Sequence, residues 1–346
     1  MKRFKRHRDY GFFDQDIRLS RLTQLGDPLE RLGREVDFEV FRELLTDGLH
    51  REPAGKGGRL PYDYVLMFKV LILQRYYNLS DDQVEFQIND RMSFMRFLGL
   101  TISDDVPDSR TVWNFRERIT DLGLVDKCFE RFLGELARLG LIVNEGRIVD
   151  ASFVEVPRQR NSRDDNKTIK QGGIPESIAE HAPRRAQKDV EARWTKKNGV
   201  NYFGYKNHVK ADSGSKLILR YVTTDASVHD SQALEALLDK STDEGQPMHG
   251  DSAYVGKEQE QAIGKAGMKN HVHEKGYRNK PLDDAQKASN RTKSKTRARV
   301  EHIFGFMEMS MNGMYLHVIG KARVHAMNGL VNITYNMFRS IQLRAI

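Results

Sequence analysis

Near Leu141 the hydrophobic period of this chain changes, and that change restricts it to a helical part followed by a sheet. Before it, apolar residues recur at helical spacing. Tyr64 to Tyr77 is apolar almost all round, with Pro61 placed to open that helix, and Ser80 with Gln83 forms a capping-box pattern ahead of a helix running toward Arg91. Asp108 precedes Val112, Phe115, Ile119 and Leu122, which line up on one helical face, with Arg110, Asn114, Glu117 and Arg118 on the other. A further helix is expected from about Asp126 to Leu139. After Leu141 the pattern alternates. Arg147 to Val156 reads as a strand, Asn201 to Ala211 as a second and Leu217 to Thr224 as a third, entered through the turn at Asp212 to Ser215. A helix over Ser231 to Asp239, a short strand ending at Asp251, a helix over Lys257 to Gly264, a strand at Lys269 to Val272 and a helix containing Glu301 complete the order.

These patterns divide the chain. Residues 1–58 start basic, hold one amphipathic segment from Val36 to Leu49 and end in the Gly-rich run Arg51 to Gly58, so a partly disordered segment is expected. Residues 59–140 form a helical domain, and residues 141–346 an α/β domain. Within the latter, residues 158–200 carry eleven basic and six acidic side chains, two prolines and little periodicity, which predicts a mobile basic insertion. Leu330, Ile333, Met337 and Ile341 give the C-terminal segment an apolar helical stripe that packs back on the domain.

The chain carries 56 Lys and Arg against 48 Asp and Glu, a net charge of +8, and that balance suits a nucleic acid or an anionic surface. Cys128 is the sole cysteine, so an internal disulfide or a cysteine-built zinc site is excluded. The most apolar run, Val65 to Leu73, is interrupted by Lys69 and is far shorter than the ~20 residues of a membrane span. The charged N-terminus is followed by no apolar stretch of a secretion signal. A cytoplasmic, nucleoid-associated protein with no membrane partner is expected.

Two features point to chemistry. Asp150 lies in a strand between Ile148, Val149 and Phe153, where a charge is costly unless it is paired or bound to a cation. From Gln286 to Arg299 there are six basic residues and no acidic one, and Glu301 then follows Arg297 by one helical turn.

These stretches, Ile148-Val-Asp150-Ala-Ser, Gly250-Asp251-Ser-Ala-Tyr254-Val-Gly256 and Arg291 to Glu308, resemble the DDE transposases of bacterial insertion sequences, specifically the insertion-sequence-five family. The resemblance runs from about Arg59 to Leu343. It implies a ribonuclease-H-like catalytic domain with a mixed five-stranded sheet and helices, preceded by an all-α helix-turn-helix-like domain. The order of three strands, helix, strand, helix, strand and helix agrees with that fold. It also implies that Asp150, Asp251 and Glu301 are the catalytic carboxylates, 101 and 50 residues apart. The family pattern around its third acid is Tyr, two residues, Arg, three residues, Glu, six residues, Lys. Arg297 and Glu301 fit it, whereas Ser294 and Glu308 stand where Tyr and Lys are expected.

Two Mg2+ ions, with Mn2+ as substitute, suit three converging carboxylates, because magnesium takes hard oxygen ligands and two such ions serve both sides of a phosphoryl transfer. Asp150 is expected to bridge both ions. For DNA contact the sequence offers Lys293, Lys295, Arg297 and Arg299 near the third acid, and Lys206 and His208 on the second strand. Arg110 and Asn114 are of the types that read guanine and adenine edges. The activity expected is binding of terminal inverted repeats in double-stranded DNA, cleavage, and transfer of the cut end to target DNA by a homodimer or larger synaptic assembly. A metal-dependent nuclease of the same fold and a catalytically silent DNA-binding protein are the other readings open to these residues.

Overall fold

The computed structural model describes residues 11–50, 60–278 and 280–345. The basic start Met1 to Arg8 and the run Arg51 to Gly58 lie outside the described residues.

The N-terminal half is a layer of helices: α1 (Asp14–Gln24), α2 (Pro28–Glu35), α3 (Arg42–Leu49), α4 (Tyr64–Tyr76), α5 (Asp81–Asp90), α6 (Met92–Leu98), α7 (Ser109–Asp121) and α8 (Leu124–Arg138). Their starts follow local chemistry. Asp63 accepts from the Leu66 amide at 2.9 Å, so α4 begins after Asp63 and not at Pro61; Ser80 and Gln83 close the expected capping box, and Asp108 accepts from Thr111 at 2.6 Å. Residues 14–49 hold far more structure than one amphipathic segment. Leu29, Leu32, Phe41, Leu45 and Leu49 are fully buried, and the Phe41 ring lies 4.7 Å from Phe68 of α4 and 6.1 Å from Phe132 of α8. Helices this short gain their stability from that packing and not from their own propensity.

The second half is a six-stranded mixed sheet. β1 (Arg147–Glu155) pairs antiparallel with the long β3 (Val200–Asp212), which pairs antiparallel with β4 (Ile218–Asp225); β5 (Pro247–His249) runs parallel to β1, and β6 (Lys269–Asn270) parallel to β5. This is the ribonuclease-H-like arrangement. The sixth strand, β2 (Arg193–Lys197), extends beside the start of β3. It belongs to the segment expected to be a mobile insertion, which also contains α9 (Arg163–Lys170), α10 (Glu176–Ala179) and α11 (Ala182–Ala186). A capping box of Ser162 and Asp165 starts α9, Ile169 and Ile178 are buried, and Asp189 accepts from Tyr205 Oη at 2.7 Å and from the Gly320 amide at 3.0 Å. Local caps and a distant carboxylate anchor therefore give this segment a fixed path.

Between β4 and β5 lie a 3-10 turn (Asp230–Ala233), α12 (Leu234–Leu237) and α13 (Lys240–Asp243); α14 (Lys257–Lys265) precedes β6. α15 (Asp284–Arg297) and α16 (Arg299–Met309) follow, separated at Ala298, and α17 (Lys321–Arg344) ends the chain. α17 packs on α4 and α8 on one side and on β4 on the other. Its Asn332 bonds Asn207 of β3 at 2.9 Å, and Asn336 both accepts from the Ile218 amide and donates to the Ile218 carbonyl. One hydrophobic core thus runs from Leu29 through α17 into the sheet. Among the described residues no helix is long and apolar enough to cross a membrane.

Candidate active site

β5 pairs with β1 only at Arg147 and Ile148, so beyond His249 the edge of β1 opens into a notch between the two strands. Asp150 sits at this notch. Its Oδ1 accepts from the Ala151 amide at 2.8 Å, and its Oδ2 accepts from Arg297 Nη1 at 3.3 Å. Arg297, at the end of α15, turns its Nη2 to Glu301 Oε1 of α16 at 3.2 Å. One guanidinium therefore joins the first and third of the expected acids. Asp251 follows the end of β5, where its Oδ1 accepts from the Ala253 amide at 2.9 Å and starts a 3-10 turn, Ser252–Tyr254.

Burial pushes the Asp150 carboxyl up to about 6, and the charge of Asp251 adds to the shift, while the Ala151 amide and the Arg297 guanidinium oppose it. Two carboxylates in each other's field, one of them largely out of water, call for a cation. The donors are all carboxylate oxygens, the chemistry of Mg2+ and Mn2+, and in that sense the residues fit a divalent ion. As arranged here, with Arg297 between Asp150 and Glu301, no three His, Cys, Asp or Glu side chains among the described residues converge on one point.

The cations and polar groups expected to contact DNA divide into tied and exposed groups. Lys206 is buried: its Nζ donates to the Val228 carbonyl at 2.7 Å and to Asp230 at 2.8 Å, holding the end of β4. Asp230 is thus an ion-pair partner, while His229 accepts from the Ser231 amide at the turn. His208 is fully buried and bonded to Thr224 Oγ1 at 2.8 Å. Neither faces solvent, because β3 has strands on both edges and packing on both faces. Lys293 donates to the Val272 carbonyl at 3.0 Å, and Arg299 to the Ser213 carbonyl at 2.7 Å. Ser294, at the family's Tyr place, lies 3.3 Å from His273 Nε2. Glu308 is exposed.

The exposed group was only partly visible in sequence. α15 buries none of its residues; Asn290 clamps Glu274 through the Glu274 amide and carbonyl, and with Lys293, Ser294 and Arg297 it fastens one helix face to the protein. Lys287, Arg291 and Lys295, one turn apart on another face, are exposed, and Lys287 pairs with Asp284 at 3.0 Å within the helix. On α7, Arg110 and Asn114 are exposed and share their face with Trp113, 45% exposed and missed by the sequence reading. Arg118 turns inward to the Leu49 carbonyl, and Glu117 pairs with Arg323 of α17.

Residues 143–337, more than half of the 346, match the family model of the transposase DDE domain. The chain belongs to the DDE transposases. A second model, described as a transposase domain, matches residues 17–118, from α1 into α7. The transposase also has a structural likeness, with a TM-score of 0.44 and 12% identity over 88% of this chain and 74% of the other, to a piggyBac transposase solved by cryo-EM as a synaptic complex with hairpin DNA. DDE transposases are enzymes and use divalent metal ions.

Proposed function

We propose that this transposase binds the terminal inverted repeats of a mobile element, cuts there and joins the cut end to target DNA, with Asp150, Asp251 and Glu301 holding two Mg2+ ions. The observation that supports this reading is that one guanidinium, Arg297, bonds both Asp150 of the strand and Glu301 of the helix, while the charge of Asp251 is felt at Asp150. Bound there, the ions would supply Lewis-acid stabilisation of the charge that spreads over the phosphate. Asp150 would serve both ions, with Asp251 and Glu301 each completing one.

In the first step the oxygen of a water bonds to phosphorus, the bond from phosphorus to the strand's O3′ breaks, and the proton released by water balances the one taken up by the leaving 3′ oxygen. In the second, that 3′ hydroxyl attacks a target phosphodiester, loses its proton to solvent and displaces a target 3′ oxygen, which takes one up. No covalent link to the protein is needed. The exposed cations Lys287, Arg291 and Lys295 would run beside the backbone of the DNA end, and Arg110, Trp113 and Asn114 would meet base edges. Joining two ends to one target requires at least two copies of the chain.

The test is Asp150→Asn with a labelled element end. It should bind DNA as the unaltered chain does and neither nick nor join it. Retained cleavage would remove Asp150 from the mechanism. If the unaltered protein cleaves but fails to join precut ends, it is a nuclease of this fold.

A further inference from the structure

The ladder between β5 and β6 runs on past both strands. His271 donates its amide to the Met248 carbonyl at 2.9 Å and His273 to the Gly250 carbonyl at 3.1 Å, which sets His271 beside His249 and His273 beside Asp251. The His249 and His271 rings, 5.2 Å apart, agree with that register and lie on one face of the sheet. On β1, Ile148 stands opposite His249, so Asp150, two residues on, shares the face. Helix α15 covers it: Ser294 Oγ lies 3.3 Å from His273 Nε2, and one turn later Arg297 reaches Asp150 at 3.3 Å. Asp150, Asp251 and His273 thus take successive places in one row beneath α15. The fold makes little use of the imidazole, which is partly exposed and whose Nδ1 has no hydrogen-bond partner among the described residues. Magnesium prefers oxygen donors, and the cations Lys293 and Arg297 flank Ser294 on α15. A nitrogen donor placed among cations beside metal-binding acids suits an anionic oxygen of the DNA backbone.

We infer that His273 is a substrate-contacting residue: fastened at Nε2 by Ser294, it donates from Nδ1 to a phosphate oxygen of the DNA end beside Asp251. The inference rests on the DNA-cutting reading above. Loss of a hydrogen bond to a charged group lowers affinity about 10-fold or more.

An Asn amide reaches the place of Nδ1 and a Gln amide that of Nε2, so His273→Asn and His273→Gln in the full chain separate the two nitrogens. A labelled duplex of the element's end, with single methylphosphonates at the phosphates flanking the cut, is bound to each protein without divalent ion. One such neutral phosphate should weaken binding about 10-fold in the unaltered chain and in His273→Asn, and have little effect in His273→Gln. Any other pattern between the two variants overturns the assignment. Calorimetric Mn2+ affinity of the DNA-free proteins should be unchanged; weaker binding by His273→Gln would make His273 a metal ligand and overturn its role toward phosphate. If the unaltered chain fails to bind the end, or is indifferent to every methylphosphonate, the DNA-cutting reading of this site fails; sensitivity preserved in His273→Gln removes His273 alone.

Discussion

Arg297, at the end of α15, holds Asp150 of β1 through a 3.3 Å contact, and the same guanidinium reaches Glu301 across the α15–α16 junction. A cation of the protein's own thus sits against two of the acids that the proposed reaction needs for metal. Removing it as Arg297→Ala should raise Mn2+ affinity of the DNA-free protein on the order of 10-fold, the size of an ordinary coupling between competing ligands. Arg297→Lys should fall between. Calorimetry on the three proteins decides it, and unchanged affinity would mean that Arg297 and the metal do not compete.

The stripe Lys287, Arg291 and Lys295 makes a prediction about salt. Each phosphate contact contributes about 0.9 to the slope of log affinity against log salt. Changing all three to Gln should therefore flatten the slope by roughly 3 and weaken all DNA sequences alike. Lys293→Gln serves as contrast. Its amine is already bonded to the Val272 carbonyl, so it should alter the slope little and lower thermal stability instead.

His208 sets a pH dependence of stability. Burial lowers its pKa to about 4, with Asp230 opposing and Lys206 assisting. The unfolded chain takes up this proton near 6.5 and the folded chain only near 4, so stability should fall as pH drops through that window, by about 3 kcal/mol in all. His208→Gln should lessen the slope in urea unfolding followed from pH 7 to pH 4, leaving the part due to His249, whose pKa burial also lowers to about 4. An unaltered slope would show that other groups govern acid sensitivity.

The same residue marks where the sequence stopped being legible. β1, β3, β4 and the stripe of α17 could be read from period alone, and Asp150 stood out as a charge in an apolar strand. Lys206 and His208 alternate along β3 as solvent-facing residues would, but β3 is an interior strand covered on both faces, and alternation carries no information on what covers a polar face. The N-terminal helices were missed for a related reason: each is short and is held by distant partners, α1 by Arg96 of α6 and the segment around Phe41 by Phe68 and Phe132. The fixed path of residues 158–200 depends on Asp189 meeting Tyr205 and Gly320, contacts that no local pattern announces. At α15 the cluster of charges was plain, but which cations are fastened to the body of the protein depended on distant partners, Val272 for Lys293 and Asp150 for Arg297.

Phe41 provides the test of that joint packing. Its ring contacts both Phe68 and Phe132, and Phe41→Ala should cost about 3–5 kcal/mol. Denaturant unfolding should still show a transition common to the helical layer and the sheet. A variant that lost only its N-terminal helices, with the sheet's unfolding midpoint unchanged, would show that residues 14–49 are an independent appendage.

Because α17 packs on α7 as well as on β4, and β4 joins β1 through β3, the helix that carries Arg110 and the strand that carries Asp150 are parts of one continuously packed frame. On the proposed reading the protein then works as a caliper: the number of base pairs from the recognised sequence to the cut is set by the protein's own dimensions. Lengthening that spacer in the DNA should abolish cutting, where a hinged enzyme would simply follow the displaced end.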